Sequence, residues 1–277
     1  MLDAGITAID SHAHVFALGL PLAAQRRHAP DYDAMLGEYL GHLDRSGISH
    51  GVLVQPSFLG TDNSYLLSAV RQYPQRLRGV AMVPLGVTDE ELTRQAAQGV
   101  VDVPDFVAPQ WQSLLTRVRA LGWHVEVHRE ACDLPCILDA VLLSGCEVVV
   151  DHFGRPDPAA GVNDPGFAAL LRVADSGRVW VKLSAAYRNA RVSRLPLLER
   201  AAALVQQDAA AATAAASALL RAFGADRLVW GSDWPHTQHQ DLVDFAGSRA
   251  LLDNWIPDAA QRRRILVDTP AALYRFR

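Results

Sequence analysis

Two histidines separated by one residue follow an apolar run near the start of the chain, in the stretch Ile9-Asp10-Ser11-His12-Ala13-His14. Alternate side chains of a β-strand face the same way, so His12 and His14 would project together from the end of one strand. Two imidazoles on one face are a ready pair of metal ligands. An isolated pair of this kind is equally compatible with two polar residues at the exit of a strand, so the interpretation depends on later segments.

Further histidines and an aspartate end later apolar segments: His128, His152 and Asp233. If these segments are parallel strands of one barrel, their carboxyl ends meet at one rim, and four histidines and an aspartate converge there. Neutral imidazoles and a carboxylate are the usual ligands of Zn²⁺ in hydrolytic sites, where the ion lowers the pKa of its bound water to about 7. The sequence therefore predicts one divalent metal ion held by His12, His14, His128 and Asp233.

Two of these residues are also the predicted catalytic groups. Asp233 could both ligate the metal and take the proton of the attacking water, while His152, outside the ligand set, could bond the attacked carbonyl or shuttle protons. Polar side chains on the neighbouring loops are the candidates for substrate binding: Ser57, Asn63, Arg155, Tyr187 and Arg188. An arginine can hold a carboxylate through two parallel hydrogen bonds, although for Arg155 and Arg188 an exposed loop position is an equal alternative.

Strands and helices alternate along the chain, which is typical of parallel βαβ units. Apolar strand segments occur near residues 9, 51–55, 77–85, 122–128, 146–152, 179–184 and 227–233, and helical segments separate them. Gly99 to Pro104 is at most a stub of a fourth strand. We therefore predict an α/β fold, one (β/α)8 TIM-like barrel domain over residues 1–277 that is imperfect at the fourth strand. A doubly wound open sheet is the rival fold, but no glycine-rich phosphate loop follows the first strand.

Bulk composition excludes several classes of function. The 277 residues are 50% hydrophobic and 20% charged, with a formal net charge of −4 and no basic run that would suggest nucleic acid. We expect no membrane contact, because no apolar run reaches transmembrane length, and a cytoplasmic location, because the first residues do not read as a signal peptide. The three cysteines, Cys132, Cys136 and Cys146, are expected to be reduced, and for Cys132 and Cys136 buried structural thiols are favoured over a metal clip or a redox pair.

Four motifs together resemble the amidohydrolase superfamily, in the branch that contains 2-pyrone-4,6-dicarboxylate lactonase and related sugar and sulfomuconolactone lactonases. The motifs span residues 11–16, 54–63, 151–156 and 230–236. The resemblance implies hydrolysis of a small cyclic ester, with a carboxylated or sugar-derived ring as substrate. It also implies that Asp233 is the general base, that His12, His14 and His152 line the reacting centre, and that Ser57, Arg155 and Arg188 contact a carboxylated substrate.

The chain departs from this branch at two places. The pyrone lactonase works without metal and lacks a histidine at the fifth strand, whereas His128 here resembles the mononuclear metal members. The resemblance therefore favours one Zn²⁺ or Mn²⁺, with the metal-free mechanism as the alternative. The family's fourth strand, which carries a substrate-binding arginine or a metal-bridging residue, is shortened here to a stretch around Val100.

Three functional hypotheses remain open from the sequence. The first is a lactone hydrolase acting on a small-molecule substrate; the resemblance permits a homodimer. The second is a metal-dependent decarboxylase of a small aromatic or unsaturated acid, which shares the barrel and the ligand pattern. The third is a non-catalytic barrel weakened by its short fourth strand.

Overall fold

Eight strands form one parallel sheet in which each strand pairs with the next along the chain. A computed structural model describes residues 5–88, 90–91, 98–100, 106–189 and 197–277; for residues 98–100 and 197–209 only the backbone is described. The strands are β1 Ile9–Ala13, β2 His50–Val54, β3 Leu77–Met82, β4 Gln98–Val100, β5 His124–Val127, β6 Glu147–Val150, β7 Val179–Leu183 and β8 Leu228–Trp230.

Helices connect the strands in the described part of the chain. They are α1 Leu36–Arg45, α2 Ser64–Gln72, α3 Pro109–Ala120, α4 Leu134–Leu143, α5 Pro165–Arg172, α6 Leu197–Phe223, α7 Phe245–Trp255, α8 Ala259–Arg263 and α9 Thr269–Leu273. The predicted alternation of strands and helices is thus confirmed. None of the helices that the structure describes is long and apolar enough to cross a membrane.

The fourth strand is short but complete in its pairing. Gln98–Val100 pairs in parallel with β3 on one side, and Gly99 and Val100 pair with β5 on the other. The sheet is therefore continuous at the position where the sequence suggested a defect. Residues 101–105, the rest of the predicted stub, lie outside the described residues.

Hydrogen bonds also join the carboxyl end of β1 to the residues that follow β8. The backbone N–H of His14 donates to the carbonyl of Trp234 at 2.7 Å, and that of Asp233 donates to the carbonyl of His12 at 2.8 Å. These bonds bring the first and last strands of the chain side by side at one end of the sheet. Residues 12, 14 and 233, predicted to act together, are consequently neighbours.

Arg27 and His28, from the long stretch between β1 and α1, line the cavity at the carboxyl ends of the strands. The prediction that Cys132 and Cys136 are buried is wrong: both are exposed, whereas Cys146 is buried. Cys132 and Cys136 lie where a short turn enters α4, so the apolar residues beside them in sequence face the core while the thiols face outward.

Candidate active site

A cavity of about 940 Å³ opens at the carboxyl ends of the strands. Nine predicted site residues are on its wall: His12, His14, Ser57, His128, His152, Arg155, Tyr187, Arg188 and Asp233. A parallel sheet presents its functional side chains at this end because the connecting loops diverge there. The sequence prediction that residues from position 12 to position 233 share one site is confirmed by this geometry.

Asp233 is the central group of the cavity and is completely buried. Its Oδ2 accepts hydrogen bonds from the hydroxyl of Tyr187 and from Nε of Arg188, the latter at 2.7 Å. Burial alone would raise the pKa of Asp233, but the charge of Arg188 and the nearby histidines outweigh burial and hold that pKa well below its usual value. The carboxylate is therefore ionised at neutral pH.

The second oxygen of Asp233 faces the histidines. Its Oδ1 lies 3.6 Å from Nε2 of His12 and 3.4 Å from Nε2 of His14, and it is buried with no hydrogen-bond partner of good geometry among the described residues. A buried carboxylate oxygen without a partner is costly unless a cation or a donor fills the gap. This oxygen is therefore available to a metal ion or to a reacting water.

Three histidines of the site, His12, His128 and His152, are neutral. Burial lowers the pKa of His152 well below its usual value and lowers that of His128 to about 3. Burial, together with the charge of Lys182, also lowers the pKa of His12. Because metal ligands must be deprotonated, this neutral state favours metal binding.

The donor atoms test whether the site fits a metal ion. Ligand atoms of His12, His152 and Asp233 all lie within 4.8 Å of one another, and the orphaned Oδ1 of Asp233 is one of the atoms that such an ion would satisfy. His14 holds its ring with Nδ1 at 2.8 Å from the carbonyl of Val54, which leaves Nε2 towards Asp233. Two or three imidazoles and one carboxylate are a donor set of the kind that zinc takes, so the residues fit a divalent metal.

His128 lines the same cavity, with a ligand atom within 4.8 Å of those of Asp151 and His152, and its predicted role as a metal ligand stays a prediction. Its Nε2 lies 3.3 Å from Nη1 of Arg155, and its ring packs edge-on against His152 with centroids 4.7 Å apart. A guanidinium beside Nε2 competes with a cation for the lone pair, so the structure favours His152 over His128 as the third histidine beside Asp233. Nδ1 of His152 is fixed by the hydroxyl of Ser184 at 2.8 Å, which turns its other nitrogen towards the cavity.

Arg155 has the properties of an anion receptor. Its Nε is buried without a hydrogen-bond partner in the described structure, and the Glu130 carboxylate is 3.7 Å from Nη2. Arg27, Arg129 and Arg188 line the same cavity. Guanidinium groups in a partly dehydrated cavity bind planar carboxylates strongly.

Ser57 and Asn63, both predicted to contact the substrate, differ in their surroundings. Ser57 is exposed on the cavity wall, as expected for a substrate contact. Asn63 is buried, donates to the carbonyls of Thr61 and Met82 and accepts from the N–H of Met82. Those bonds tie the start of α2 to β3, which is a supporting role for the fold. The predicted substrate contact by Asn63 stays a prediction.

A second group of charges, which sequence reasoning left without a role, lies directly beneath the histidines. Nζ of Lys182 is 2.5 Å from Oε2 of Glu126, 3.2 Å from Oδ1 of Asp151 and 3.0 Å from Nδ1 of His12. All four side chains are buried. The signal was available: Glu126 and Lys182 are charged residues inside apolar strands that are covered on both faces.

Asp10 was missed as well, and it fastens the strand ends that carry His12 and Asp233. Its Oδ1 accepts from the N–H of Ser232 at 2.8 Å and from that of His12 at 3.2 Å, while Oδ2 accepts from the hydroxyls of Ser232 and Tyr39. Burial raises the pKa of Asp10 to about 6. The four hydrogen bonds fix the spacing between the end of β1 and the residues after β8.

The backbone is strained where it presents the site. Non-glycine residues adopt positive φ after three strands: His152, Phe153 and Arg155 after β6, Ala185 after β7, and Asp233 and His236 after β8. Such conformations cost free energy and are concentrated at functional sites. They turn His152 and Asp233 into the cavity at the first residues beyond their strands. His236, which also follows β8, is buried, with Nδ1 3.5 Å from the hydroxyl of Tyr187.

Three of the known proteins that resemble this chain are named as hydrolases of related ring compounds. The chain is 34% identical over 282 residues to the 4-sulfomuconolactone hydrolase of Rhizobium radiobacter, an alignment that covers 96% of this chain and 89% of that protein. It is 32% identical over 283 residues to the 2-pyrone-4,6-dicarboxylate hydrolase of Comamonas testosteroni, covering 96% and 90%. A crystal structure of a Pseudomonas putida protein assigned as a 2-pyrone-4,6-dicarboxylic acid hydrolase is 46% identical, with a TM-score of 0.87 and 98% of each chain covered.

The family assignment rests on nearly the whole chain. The matched relatives are hydrolases, and each alignment covers 96% of this chain. The family model named Amidohydrolase matches residues 9–276. With a histidine pair, further histidines and an aspartate collected at the strand ends, the chain is a hydrolase and belongs to the amidohydrolase family.

Proposed function

We propose that this enzyme opens a small lactone that carries at least one carboxylate, with Asp233 as the general base. The observation that carries the proposal is the environment of Asp233. One of its oxygens is held by Tyr187 and Arg188, and the other is unpartnered and faces His12 and His14. A carboxylate arranged in this way can orient a water on Oδ1 and take its proton, because geometry places the base beside the reacting position.

The class of substrate follows from the cavity and the relatives. The two relatives are named for a sulfonated and a dicarboxylated ring, so both names describe anionic lactones. Here Arg155 presents an unpartnered Nε, and Arg27 and Arg129 share the wall with it. We assign Arg155 and Arg188 to the substrate carboxylate, with Ser57 and Tyr187 as neutral contacts.

The reaction is proposed to proceed by addition and elimination at the lactone carbonyl. Asp233 accepts a proton from water as the oxygen attacks, and the negative charge that develops on the carbonyl oxygen is stabilised by N–H groups of the surrounding histidines. The ring C–O bond then breaks, and the proton that Asp233 took from water returns to the leaving oxygen; without a metal, His152, held by Ser184, would shuttle it. The product is the open-chain hydroxy acid or its keto form.

The metal ion belongs to the same proposal. His12, His14 and Asp233 would hold it, with His152 in the place predicted for His128. When bound, such an ion, zinc by its preference for this donor set, lowers the pKa of water and polarises the carbonyl. The metal-free mechanism remains the alternative, and it uses the same base and the same arginines.

Fold, location and assembly complete the proposal. The bonds between the ends of β1 and β8 support a closed (β/α)8 barrel formed as one domain from residues 1–277. The small-molecule substrate, the cytoplasmic location and a homodimer are proposed with it. The decarboxylase and non-catalytic alternatives lose their motives, since both relatives at 32–34% identity are lactone hydrolases and β4 pairs on both sides.

The test is a screen of purified enzyme against lactones, read by proton release in weak buffer. Carboxylated five- and six-membered lactones should be opened, neutral lactones of the same ring size should be poorer substrates, and CO₂ should not form. Metal content of the same sample separates the two mechanisms. Failure to open any carboxylated lactone, with the protein folded and with Zn²⁺ or Mn²⁺ supplied, would contradict the proposal.

A further inference from the structure

The lysine beneath the site occupies a position that a metal ion could otherwise take. Ligand atoms of His12, Glu126 and Asp151 lie within 4.8 Å of one another and form a possible cation site by their chemistry. The ammonium of Lys182 lies among them, at 3.0, 2.5 and 3.2 Å from His12, Glu126 and Asp151. Hydrogen bonds of good geometry join the ammonium to His12 and Glu126, and Oδ1 of Asp151 is an ion-pair contact without one, so the chain itself supplies the cation at this position.

This arrangement gives Nδ1 of His12 two competing neighbours. Lys182 is a hydrogen-bond donor only, whereas the carboxylate of Asp151, with Oδ1 at 3.3 Å from the same nitrogen, is an acceptor only. Donation by Lys182 requires a lone pair on Nδ1, which leaves the proton of neutral His12 on Nε2. Donation to Asp151 requires the proton on Nδ1, which leaves a lone pair on Nε2.

The choice matters because Nε2 of His12 faces Asp233 at 3.6 Å. With its proton on Nε2, His12 is a hydrogen-bond donor towards the reacting position and a poor metal ligand. With the proton on Nδ1, His12 presents a lone pair, and Asp151 supplies the carboxylate support that metal-binding histidines commonly have. The atom 3.0 Å from Nδ1 is the lysine nitrogen, and it is the one that forms a hydrogen bond of good geometry there.

We propose that Lys182 is a positioning residue that holds His12 with its proton on Nε2 and thereby weakens metal binding at Asp233. The inference rests on the proposed site, in which His12 and Asp233 face the same reacting position. It assigns the buried lysine a function beyond the fold: Lys182 biases the site towards the metal-free state. Metal binding would require His12 to exchange its Nδ1 partner from Lys182 to Asp151.

The test needs a variant that removes the ammonium without leaving an excess of buried negative charge. Lys182→Met alone would leave Glu126 and Asp151 without their shared cation, and breaking a buried pair in this way is strongly destabilising. The double variant Lys182→Met/Glu126→Gln keeps the net charge of the group unchanged. Glu126→Gln alone is the matched control, because it changes the same carboxylate and retains the ammonium.

The direct readout is the tautomer of His12 in metal-free, full-length protein. Long-range ¹H–¹⁵N spectra of histidine-labelled protein report it, with the His12 signals identified by their absence in His12→Asn. We expect the Nε2–H form in the wild type and in Glu126→Gln, and the Nδ1–H form in the double variant. A His12 that carries its proton on Nδ1 in the wild type, or that keeps the proton on Nε2 in the double variant, would overturn the inference.

The second readout is zinc affinity, measured by competition with a chromophoric chelator. Removing the ammonium should tighten binding by about 10- to 100-fold relative to Glu126→Gln, the range seen when the outer partners of a ligand are changed. Equal affinities in the two variants would overturn the inference. Lactone turnover is measured separately, so a wild type that opens no lactone would contradict the proposed function while the tautomer and the affinities still decide the role of Lys182.

Discussion

At the scale of single residues, Asp233 differs from the other carboxylates of the cavity because its two oxygens have different surroundings. Oδ2 is neutralised by Arg188 and bonded by Tyr187, so the ionised form is stable in a fully buried position. Oδ1 is left open beside His12 and His14. A base of this kind is anchored on one side and reactive on the other, which lets the water be held without moving the carboxylate.

Replacing Asp233 by asparagine should abolish most of the activity. The amide keeps the shape of the side chain but cannot take a proton, so we expect kcat to fall by about 10²- to 10⁴-fold, the usual contribution of a general base. Lactone hydrolysis by proton release measures this loss, and thermal unfolding verifies the fold. The exposed Asp175→Asn is the matched control and should keep wild-type kcat. An Asp233→Asn enzyme with near-normal kcat would remove Asp233 from the mechanism.

Tyr187 should act on the pKa of the base. Its hydroxyl donates to Oδ2 of Asp233, and a hydrogen bond to a carboxylate favours the ionised form. In Tyr187→Phe the pKa of Asp233 should therefore rise, and the acid limb of the kcat/KM profile should move to higher pH. The measurement is kcat/KM for both proteins from pH 8 down to the lowest pH at which both stay folded. A limb at the same pH in both would show that the hydroxyl does not set the ionisation of the base.

At the scale of elements, the critical contact is the approach of the residues after β8 to the end of β1. Gly231 lies at this contact. A Cβ built on Gly231 would come 2.5 Å from Cβ of His12 and 2.9 Å from the backbone nitrogen of His12. At the same contact, Oδ1 of Asp10 accepts hydrogen bonds from the N–H groups of Ser232 and His12. The distance between His12 and Asp233 therefore depends on the absence of a side chain at Gly231 and on the buried carboxylate of Asp10.

The substitution Gly231→Ala should separate these two elements. We expect a loss of about 1–3 kcal/mol in the free energy of unfolding, typical of overpacking, together with a fall in kcat that exceeds what the stability loss explains, because His12 and Asp233 move apart. Gly37→Ala is the control: the added methyl meets open space in α1, and helical alanine is favoured over glycine by about 0.5–1 kcal/mol. Denaturant unfolding and kcat are measured on both. A Gly231→Ala protein with unchanged kcat would show that the contact at Gly231 does not control the positions of His12 and Asp233.

Most of the element order was predictable, whereas the inner part of the site was not. Apolar runs ending in His12, His128, His152 and Asp233 locate the strands and their carboxyl ends, because a strand covered on both faces must be apolar until it leaves the sheet. The same logic gives no partner for Lys182, whose contacts at Glu126 and Asp151 come from strands 56 and 31 residues away in sequence. Pairing across a sheet interior depends on stagger between strands, which spacing along the chain does not contain.

The sequence also did not indicate that His152, and not His128, lies beside Asp233. Both follow a strand by one or two positions, and only the positive φ of His152 and the contact between His128 and Arg155 distinguish them. The buried state of His236 was missed for a related reason, since the turn after β8 folds back under Tyr187 instead of extending to solvent. Local backbone reversals of this kind have no reliable signal in residue type.

At the scale of the whole molecule, the site makes stability depend on pH through histidines that are buried without charge. Burial lowers the pKa of His236 to about 4, against an ordinary value of 6.5. Between these two values the unfolded chain binds a proton that the folded chain does not, so the free energy of unfolding decreases as the pH falls through 6.5 and continues to decrease until about pH 4. Asp233, whose pKa is depressed, adds a further loss only below its ordinary value of 3.8.

His236 should account for a measurable part of this acid sensitivity. From pH 7 to pH 5 its contribution is a loss of about 2 kcal/mol, because each tenfold rise in proton concentration below pH 6.5 favours the unfolded chain by about 1.4 kcal/mol while the folded ring stays neutral. His236→Gln removes the titrating group, so its free energy of unfolding should fall less steeply over the same interval, even if the variant is less stable at pH 7. Urea unfolding at pH 7, 6 and 5 measures both slopes, and the variant His239→Gln serves for comparison because its ring lies on the cavity wall. Parallel slopes for the wild type and His236→Gln would mean that His236 is protonated in the folded enzyme, and the neutral histidine environment inferred around Asp233 would then not extend to it.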